Sequence, residues 1–116
     1  MNLGDVVQVN LPRPAAQPGH EQFGRRPAII VQSDEAIPNL STVLVVPCTS
    51  NLSARKYAGA VSIQPTESNG LKVESIALSH QLRAIDKIRV DLPPLGRLSS
   101  AELTTVQDEL RSIMGL

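Results

Sequence analysis

The sequence predicts a mainly β domain with one C-terminal α-helix. Short apolar runs separated by proline, glycine and polar residues predict a series of strands. Near the end of the chain, apolar residues recur at helical spacing behind a capping-box pattern. The 116 residues, 41% of them apolar, suit one domain with one core over residues 1–116. We therefore expect a small curled β-sheet or barrel packed against the helix.

Three strands are predicted in the first half of the chain. Asp5–Leu11 alternates loosely and is rich in valine, and Pro12 stops it. Residues 27–33 and 42–48 are apolar on both faces and predict central strands. The polar segment between the first two strands is long for a compact domain, which predicts a functional loop.

Shorter strands are predicted in the second half. Residues 58–64, Ser75–Leu78 and residues 81–85 have strand-like composition, and Asn69-Gly70 is the sharpest turn signal between them. Because a domain this small has little interior of its own, we expect a second copy of the chain to cover some of its apolar surface.

The last element is predicted to be a helix, separated from the strands by Pro93, Pro94 and Gly96. Ser99 and Glu102 have the spacing of a capping box. The apolar face is formed by Leu103, Val106, Leu110, Ile113 and Met114.

Composition narrows the possible functions. Eleven basic residues balance eleven acidic ones, so the whole chain does not indicate nucleic-acid binding. Local basic clusters remain, and each is either a solvated face or a positive patch. The clusters are Arg25 with Arg26, Arg55 with Lys56, and Arg83 with Lys87 and Arg89. One phenylalanine, one tyrosine and no tryptophan argue against a binder of single strands built on rows of stacking rings.

Cys48 is the only cysteine, so no disulfide forms within the chain, which fits a reducing cytosol. It ends an apolar run and is predicted to be buried filler, not a nucleophile. The sequence has no metal-ligand spacing and no phosphate-cradling glycine loop, so neither a metal nor a cofactor is expected. It also lacks a signal-peptide pattern and an apolar run of membrane-spanning length, which predicts a soluble, cytoplasmic protein.

Two residues stand out as candidates for phosphate chemistry. Arg26 lies where a flexible polar loop enters an apolar strand, and its planar guanidinium matches phosphate oxygens two at a time. A surface arginine paired with a carboxylate such as Glu21 is an equal alternative from the residues alone. Thr49 follows the third strand, and its hydroxyl can donate to a phosphate oxygen or simply cap a turn.

Four blocks of sequence, in this order and spacing, resemble the MazF/PemK toxins of toxin–antitoxin pairs. The blocks are Gly4-Asp5-Val6-Val7, Gly19-x-Glu21-Gln22-x-Gly24-x-Arg26-Pro27, Val46-Pro47-Cys48-Thr49-Ser50 and Gln81-Leu82-Arg83-Ala84-Ile85-Asp86. The resemblance covers nearly the whole chain. It implies an SH3-like barrel, of the MazF/PemK/CcdB type, that pairs as a homodimer.

The same resemblance implies an activity. It is that of a metal-independent endoribonuclease that cuts single-stranded RNA, usually messenger RNA, at short sequences. The products carry a 2′,3′-cyclic phosphate and a 5′-hydroxyl. The usual inhibitor is a small, MazE-like antitoxin whose acidic, largely disordered tail covers the RNA groove. The positions that carry catalysis in the family are Arg26 and Thr49 here.

Three departures from the family pattern concern ring-bearing residues. His20 replaces what is more often a small hydroxyl residue, and histidine titrates near neutral pH, so it is a third catalytic candidate. It is otherwise an exposed loop residue, and Glu21 is an alternative base or a group that orients Arg26. Phe23 occupies a position where the family usually has a small residue, and it either stacks on a base or packs the loop against the barrel. His80 stands where the family often has an acidic residue.

The remaining predicted site residues are contacts to RNA. Gln81 matches a family glutamine near the RNA groove, although it is otherwise a strand-edge residue facing water. Asp86 is predicted to be structural, pairing with Arg83 or capping a turn. The predicted RNA contacts are Glu21, Gln22, Phe23, Arg25, Ser50, Asn51, Gln81 and Arg83.

Two other functions fit the same fold. One is a gyrase-inhibiting toxin of the CcdB type, which has no RNA chemistry and acts through its C-terminal residues. The other is a barrel that binds a partner without catalysis. The pairing of Arg26 with Thr49 favours the nuclease over both.

Overall fold

The computed structural model describes residues 1–15 and 19–116, so residues 16–18 of the predicted loop lie outside the described part. The elements in chain order are β1 (Asp5–Leu11), β2 (Gly24–Ile30), β3 (Thr42–Thr49), β4 (Ala60–Ile63), β5 (Ser75–Leu78), β6 (Arg83–Asp86), β7 (Val90–Arg97) and α1 (Ser100–Met114). Short 3₁₀ turns occupy Ile37–Asn39, Leu52–Lys56, Ser79–Gln81 and Lys87–Arg89. No helix in the described ranges has the length and apolar character needed to cross a membrane.

The strands form one antiparallel sheet in the order β4-β5-β3-β2-β1-β7. β3 is its centre. One edge of β3 pairs with β2, and the other edge pairs with β6 along its first half and with β5 at its end. The C-terminal end of β3 therefore lies between β2 and β5, which is where the site described below is built.

The apolar stretches of β2 and β3 are buried on both faces, as the sequence predicts. In β2, Ile29 belongs to one apolar cluster, whereas Ala28 and Ile30 belong to another. β3 divides in the same way, with Val46 in the first cluster and Val45 in the second. This alternation follows from the two-residue period of a strand. Both faces of the central sheet are therefore core.

Helix α1 confirms the predicted capping box. The Ser99 hydroxyl accepts from the Glu102 backbone N–H at 3.1 Å, and the Glu102 carboxylate accepts from the Ser99 N–H at 2.8 Å. Val106 is fully buried, and Leu103 and Leu110 pack against the first cluster. The end of the predicted apolar face is exposed, because Ile113 and Met114 extend beyond that cluster.

The strand β7 differs from the sequence prediction. Pro93, Pro94 and Gly96 do not separate two elements but lie within a strand of eight residues. An outer strand tolerates proline because only one of its edges has to donate hydrogen bonds. The pairing of β7 with β1 also shifts register between Val6 and Gln8, which accommodates the irregular sequence.

Several predicted boundaries move by a few residues. β2 begins at Gly24 instead of residue 27, because its pairing with β1 continues to Leu11 opposite Gly24. β3 continues by one residue to include Thr49. β4 and β6 are shorter or shifted relative to residues 58–64 and 81–85. The shifts matter at the site, because they place Arg26 and Thr49 within strands.

The turn between β4 and β5 packs on β7. The Arg97 N–H donates to the Ser68 carbonyl at 2.8 Å, and Gly70 and Gly96 let the two backbones approach closely. Asn69 is fully buried and accepts at its side-chain oxygen from the N–H groups of Thr66 and Leu71. Within the described residues, however, no ladder joins β4 to β7, so the sheet is not closed by strand pairing.

Candidate active site

Arg26 and Thr49 lie on adjacent strands at the same height. In the β2–β3 ladder Ala28 is opposite Pro47. Continuing this antiparallel register by two residues places Arg26 opposite Thr49. Thr49 also pairs with Ile76 of β5 on its other side, so its position is fixed from both edges. The sequence prediction that these two residues act together is therefore consistent with their placement.

The guanidinium of Arg26 is anchored by main-chain oxygens. Its Nε donates to the Phe23 carbonyl at 3.1 Å, and its Nη1 donates to the Cys48 carbonyl at 3.3 Å. These bonds use two of the five N–H donors of a guanidinium, and the other three remain for a ligand. Among the described residues no carboxylate forms an ion pair with Arg26, which disfavours the alternative pairing with Glu21.

Burial changes the electrostatics around Arg26. Partial burial lowers the pKa of Arg26, because it removes hydration from the cation. Complete burial raises the pKa of the Cys48 thiol to about 12, although nearby Arg26 acts in the opposite direction. Cys48 is thus a neutral thiol in the core, and the prediction that it is buried filler is confirmed.

Thr49 is held in a tight turn. Its Oγ1 accepts from the Asn51 N–H at 3.2 Å, so its own proton can be donated outward. Asn51 in turn caps the 3₁₀ turn Leu52–Lys56, since its side-chain oxygen accepts from the Ser53 N–H at 3.1 Å. The turn-capping role and a catalytic role for Thr49 are compatible, because they use different parts of the hydroxyl.

A cleft of about 400 Å³, which we call the Arg26 cleft, opens beside these two residues. Arg25 and Ser50, two of the predicted RNA contacts, line it. Arg25 also forms an ion pair with Asp91 at 2.7 Å, and both side chains are more than half exposed. Such an exposed pair contributes little to stability.

Thr49 also lines a second cleft of about 230 Å³, which we call the His20 cleft. His20, Gln22 and Asn51 line it together with Thr49. Thr49 is therefore shared by both clefts. Glu21 is exposed and lines a different, adjoining hollow of about 610 Å³, which it shares with Arg83.

The loop that carries His20 is held by two predicted RNA contacts. Gln81 uses both ends of its amide on the loop: Oε1 accepts from the Gln22 N–H at 2.8 Å, and Nε2 donates to the His20 carbonyl at 2.9 Å. Arg83 Nη1 donates to the Gln22 carbonyl at 3.1 Å. In this conformation Gln81 and Arg83 position the loop.

Phe23 and Asp86 have structural contacts. The Phe23 ring is half-buried, and the Arg13 guanidinium carbon lies 5.3 Å from the ring centroid, a cation–π geometry. This favours packing of the loop over base stacking for Phe23. Asp86 accepts from the Ile88 N–H at 3.0 Å and so caps a turn, as one of its two predicted roles requires.

Some residues of the two clefts are missed by sequence reasoning. Lys72, Val73 and Leu95 line the Arg26 cleft, and Tyr57, the only tyrosine, lines the His20 cleft. His80 also lines the His20 cleft, and the sequence marks it as a departure from the family pattern without placing it in the site. The three residues of the Arg26 cleft come from β7 and from the segment before β5, whose approach depends on long-range packing. In the described part of the chain, no three His, Cys, Asp or Glu side chains are grouped to hold a metal ion.

Comparison with known proteins gives the same family from sequence and from structure. The profile of a family described as "PemK-like, MazF-like toxin of type II toxin-antitoxin system" matches residues 2–114. Endoribonuclease MazF9 of Mycobacterium tuberculosis is 36% identical over 116 residues, covering 96% of this chain and 93% of that protein. Endoribonuclease MazF of Staphylococcus saprophyticus is 30% identical, covering 100% of this chain and 92% of that protein.

Solved structures agree with these relatives. The crystal structure of MazF from Deinococcus radiodurans superposes with a TM-score of 0.79 at 27% identity and covers 100% of this chain and 97% of that one. A crystal structure of MazE-MazF from the same organism superposes with a TM-score of 0.75 at 25% identity and covers 100% of this chain and 96% of that one. With its strand order, its Arg26–Thr49 pair and these matches, the chain belongs to the PemK-like, MazF-like toxins of type II toxin–antitoxin systems.

Proposed function

We propose that this protein is the toxin of a toxin–antitoxin pair and an endoribonuclease that cuts single-stranded RNA. The relatives that match nearly all of the chain are named endoribonucleases. The observation that carries the proposal to this chain is the anchored Arg26 guanidinium, which faces a cleft shared with the Thr49 hydroxyl. Neither a gyrase inhibitor nor a purely binding module is favoured, because the family and its named relatives are nucleases.

The reaction proceeds by attack of the substrate's own 2′-hydroxyl on the adjacent phosphorus. The O–P bond to the 2′-oxygen forms and the P–O bond to the 5′-oxygen breaks, which gives a 2′,3′-cyclic phosphate and a 5′-hydroxyl. One proton leaves the 2′-oxygen and one is delivered to the 5′-oxygen. This route needs no metal ion, and we propose that the enzyme uses none.

Arg26 stabilises the charge that develops on the non-bridging oxygens. Because its side chain is already fixed by two carbonyl groups, little reorganisation is needed when the charge appears. Its partial burial has already removed water from the cation, which strengthens its attraction for the phosphate. Thr49, on the next strand, donates its hydroxyl proton to a phosphate oxygen.

His20 is the group we assign to proton transfer. It lines the same cleft as Thr49, whereas Glu21 faces the adjoining hollow with Arg83. The arginine cannot serve as the base, because a guanidinium stays protonated. The assignment predicts a pH–rate step that is lost in His20→Ala and kept in Glu21→Gln. The converse pattern would assign the base to Glu21.

The predicted RNA contacts are distributed around this centre. We propose that Arg25, Ser50 and Asn51 touch the nucleotides directly, since they line the two clefts. Gln22, Gln81 and Arg83 hold the loop that frames the His20 cleft, and Phe23 packs that loop. We assign Glu21 and Arg83, which line the adjoining hollow, to RNA contacts outside the two clefts.

The proposal extends to the whole molecule. Some solved relatives are structures of MazE-MazF, so we propose a small acidic antitoxin as partner, together with a homodimer.

We also propose that residues 1–116 are one domain with the curl of an SH3-like barrel. The turn of residues 66–70 supports this, because it packs on β7 and narrows the gap between the outer strands. We propose a cytoplasmic location as well, because the proposed substrate is RNA.

The test is cleavage of a long mixed-sequence RNA by the purified protein in EDTA, with sequencing of the 5′-hydroxyl ends. We expect cuts at one short sequence and cyclic-phosphate ends. Arg26→Ala should be about 10²- to 10³-fold slower, and Arg26→Lys should recover only part of the rate because it lacks the planar fork. Arg111→Ala, an exposed helix arginine paired with Asp108, is the matched control. Intact RNA, or cleavage only after Mg²⁺ is added, contradicts the proposal.

A further inference from the structure

Two aromatic rings form a pair beside the proposed cleavage site. Tyr57 ends the 3₁₀ turn Leu52–Lys56, and His80 belongs to the turn Ser79–Gln81. Their ring centroids are 5.2 Å apart, and their planes are tilted by 44°. Tyr57 is 49% exposed, and His80 is exposed as well. The pair therefore presents flat apolar surface to its surroundings.

The pair lies in the same cleft as the reactive hydroxyl. Tyr57 and His80 line the His20 cleft together with Thr49 and Asn51. Thr49 in turn opens into the Arg26 cleft. The nucleotide next to a phosphate bound at Thr49 can therefore extend into the part of the cleft that the rings line.

We propose that the Tyr57–His80 pair is the stacking platform for one base of the RNA, next to the nucleotide whose phosphate is cut. Bases stack on tyrosine and histidine rings in many single-strand sites. This inference rests on the proposed function and adds to it a subsite for one base.

The surroundings of the pair fit a nucleotide. The Lys56 Nζ lies over the Tyr57 ring, 5.4 Å from its centroid. A base that stacks on this face displaces the ammonium, which then remains beside the bound nucleotide as a cation for its phosphate. The side-chain oxygen of Asn51 already accepts from the Ser53 N–H and hydroxyl, at 3.1 and 2.8 Å. The group that Asn51 presents to a base edge is therefore its amide NH₂, a donor. We expect the stacked base to offer an acceptor there.

A second copy of the chain is the other possible cover for these rings. RNA is favoured because the rings share a cleft with Thr49 and stand beside a lysine, whereas a copy seated on them would close one side of that cleft. The two occupants make different predictions for the experiments below.

Tyrosine fluorescence provides a direct readout. Tyr57 is the only tyrosine and the chain has no tryptophan, so the emission of the protein reports on this ring alone. The probe is an oligonucleotide of the mapped cleavage sequence with a 2′-deoxy sugar at the cut position, which removes the nucleophile. Titration should quench the emission in step with binding, after correction with free tyrosine amide for absorption by the RNA.

Abasic substitution locates the stacked base. One base at a time is removed from the probe, and binding is measured for the wild type, Tyr57→Phe and Tyr57→Ala. At one position next to the cut, base removal should weaken wild-type and Tyr57→Phe binding by roughly five- to a hundredfold, as expected for one stack. In Tyr57→Ala the same removal should cost almost nothing. Ile88→Ala, an exposed apolar residue outside both clefts, should behave as the wild type.

The outcomes separate this inference from the proposed function. If the protein cleaves RNA but its emission is not quenched, and abasic losses are equal in the wild type and Tyr57→Ala, the stacking inference is wrong. If Tyr57→Ala also changes the mass measured by light scattering, the rings are instead a contact between copies. If the wild type does not cleave RNA at all, the proposed function itself fails.

Discussion

At the scale of single residues, only a few groups anchor Arg26 and Thr49 in the site. Arg26 is anchored by the carbonyl groups of Phe23 and Cys48, and Thr49 by the N–H of Asn51. All of these partners are main-chain atoms, so their positions are set by the strands and turns and not by further side chains. Substitutions at Arg26 and Thr49 should therefore report on chemistry with little change in the fold.

Thr49 allows a shape-matched test of its hydroxyl. Thr49→Val keeps the branched shape but cannot donate to the phosphate, and we expect cleavage to slow by about 10²-fold. Thr49→Ser keeps the donor and should retain most of the rate. The measurement is single-turnover cleavage of one oligonucleotide, with circular dichroism to compare the folds. Equal activity of the valine and serine variants would remove Thr49 from the reaction.

Cys48 makes stability depend on pH in the alkaline range. Burial raises the pKa of this thiol to about 12, whereas an exposed thiol titrates at about 8.5. Between these values the unfolded chain has lost the proton and the folded chain keeps it. The free energy of unfolding therefore falls as the pH rises, with a slope from this group of at most about 1.4 kcal/mol per pH unit.

Urea unfolding at several pH values from 8 to 11 would measure this slope. Cys48→Ala lacks the thiol and should show a shallower decline than the wild type over the same range. Tyrosine and lysine groups also titrate there, but they are common to both proteins. Parallel curves for the two proteins would show that the thiol does not contribute.

At the scale of elements, the β4–β5 turn and β7 approach each other closely through two glycines. A Cβ at Gly70 would overlap the carbonyl group of Leu95, and a Cβ at Gly96 would overlap the backbone of Ser68 and Asn69. This contact also positions the segment of residues 71–73, which lines the Arg26 cleft. The turn therefore links the far edge of the sheet to the site.

Gly70 and Gly115 form a matched pair for testing this contact. Both have a positive φ, 70° and 72°, so alanine at either position costs about 1–2 kcal/mol for the left-handed backbone. Only at Gly70 does the added Cβ meet backbone. We expect Gly70→Ala to lower the free energy of unfolding by at least about 2 kcal/mol more than Gly115→Ala. Equal losses in urea unfolding would show that the turn yields without cost.

At the scale of the whole molecule, the balanced charge means that RNA binding depends on a local patch. Lys72 is exposed and lines the Arg26 cleft beside Arg25 and Arg26. If it contacts one phosphate, Lys72→Gln should reduce the salt dependence of binding by about 0.7 in the slope of log K against log salt. The measurement is binding of the 2′-deoxy probe over a range of salt concentrations. The control is Lys87→Gln, because the Lys87 ammonium donates to the Ile37 carbonyl and lies outside the Arg26 cleft. An unchanged slope for Lys72→Gln would place this lysine outside the RNA path.

Much of the fold follows from local pattern, because the signals for strands and caps are local. The alternation in Asp5–Leu11, the apolar run that ends at Cys48 and the Ser99–Glu102 box all predict the elements observed. The β7 strand is missed because Pro93 and Pro94 signal a break, and only the pairing with β1 shows that they lie on an outer strand.

The site residues likewise divide into those that the sequence predicts and those that only the structure reveals. Arg26 and Thr49 can be chosen from the sequence because the four blocks that resemble the MazF/PemK toxins place them at the family's catalytic positions. Tyr57 and Lys72 cannot, because they reach the site only through turns whose direction depends on distant contacts. Likewise the use of Gln81 as a clamp on the loop joins residues about sixty positions apart, which no local pattern predicts.

The main-chain anchoring of Arg26 has an evolutionary consequence. Among the described residues nothing negatively charged neutralises this guanidinium, so it attracts any anion that enters, whether a nucleic-acid backbone or the carboxylate of an inhibitor. A toxin that escaped an acidic inhibitor by losing this cation would be disarmed by the same mutation. Sensitivity to an acidic inhibitor and toxic activity therefore depend on the same residue and are inherited together.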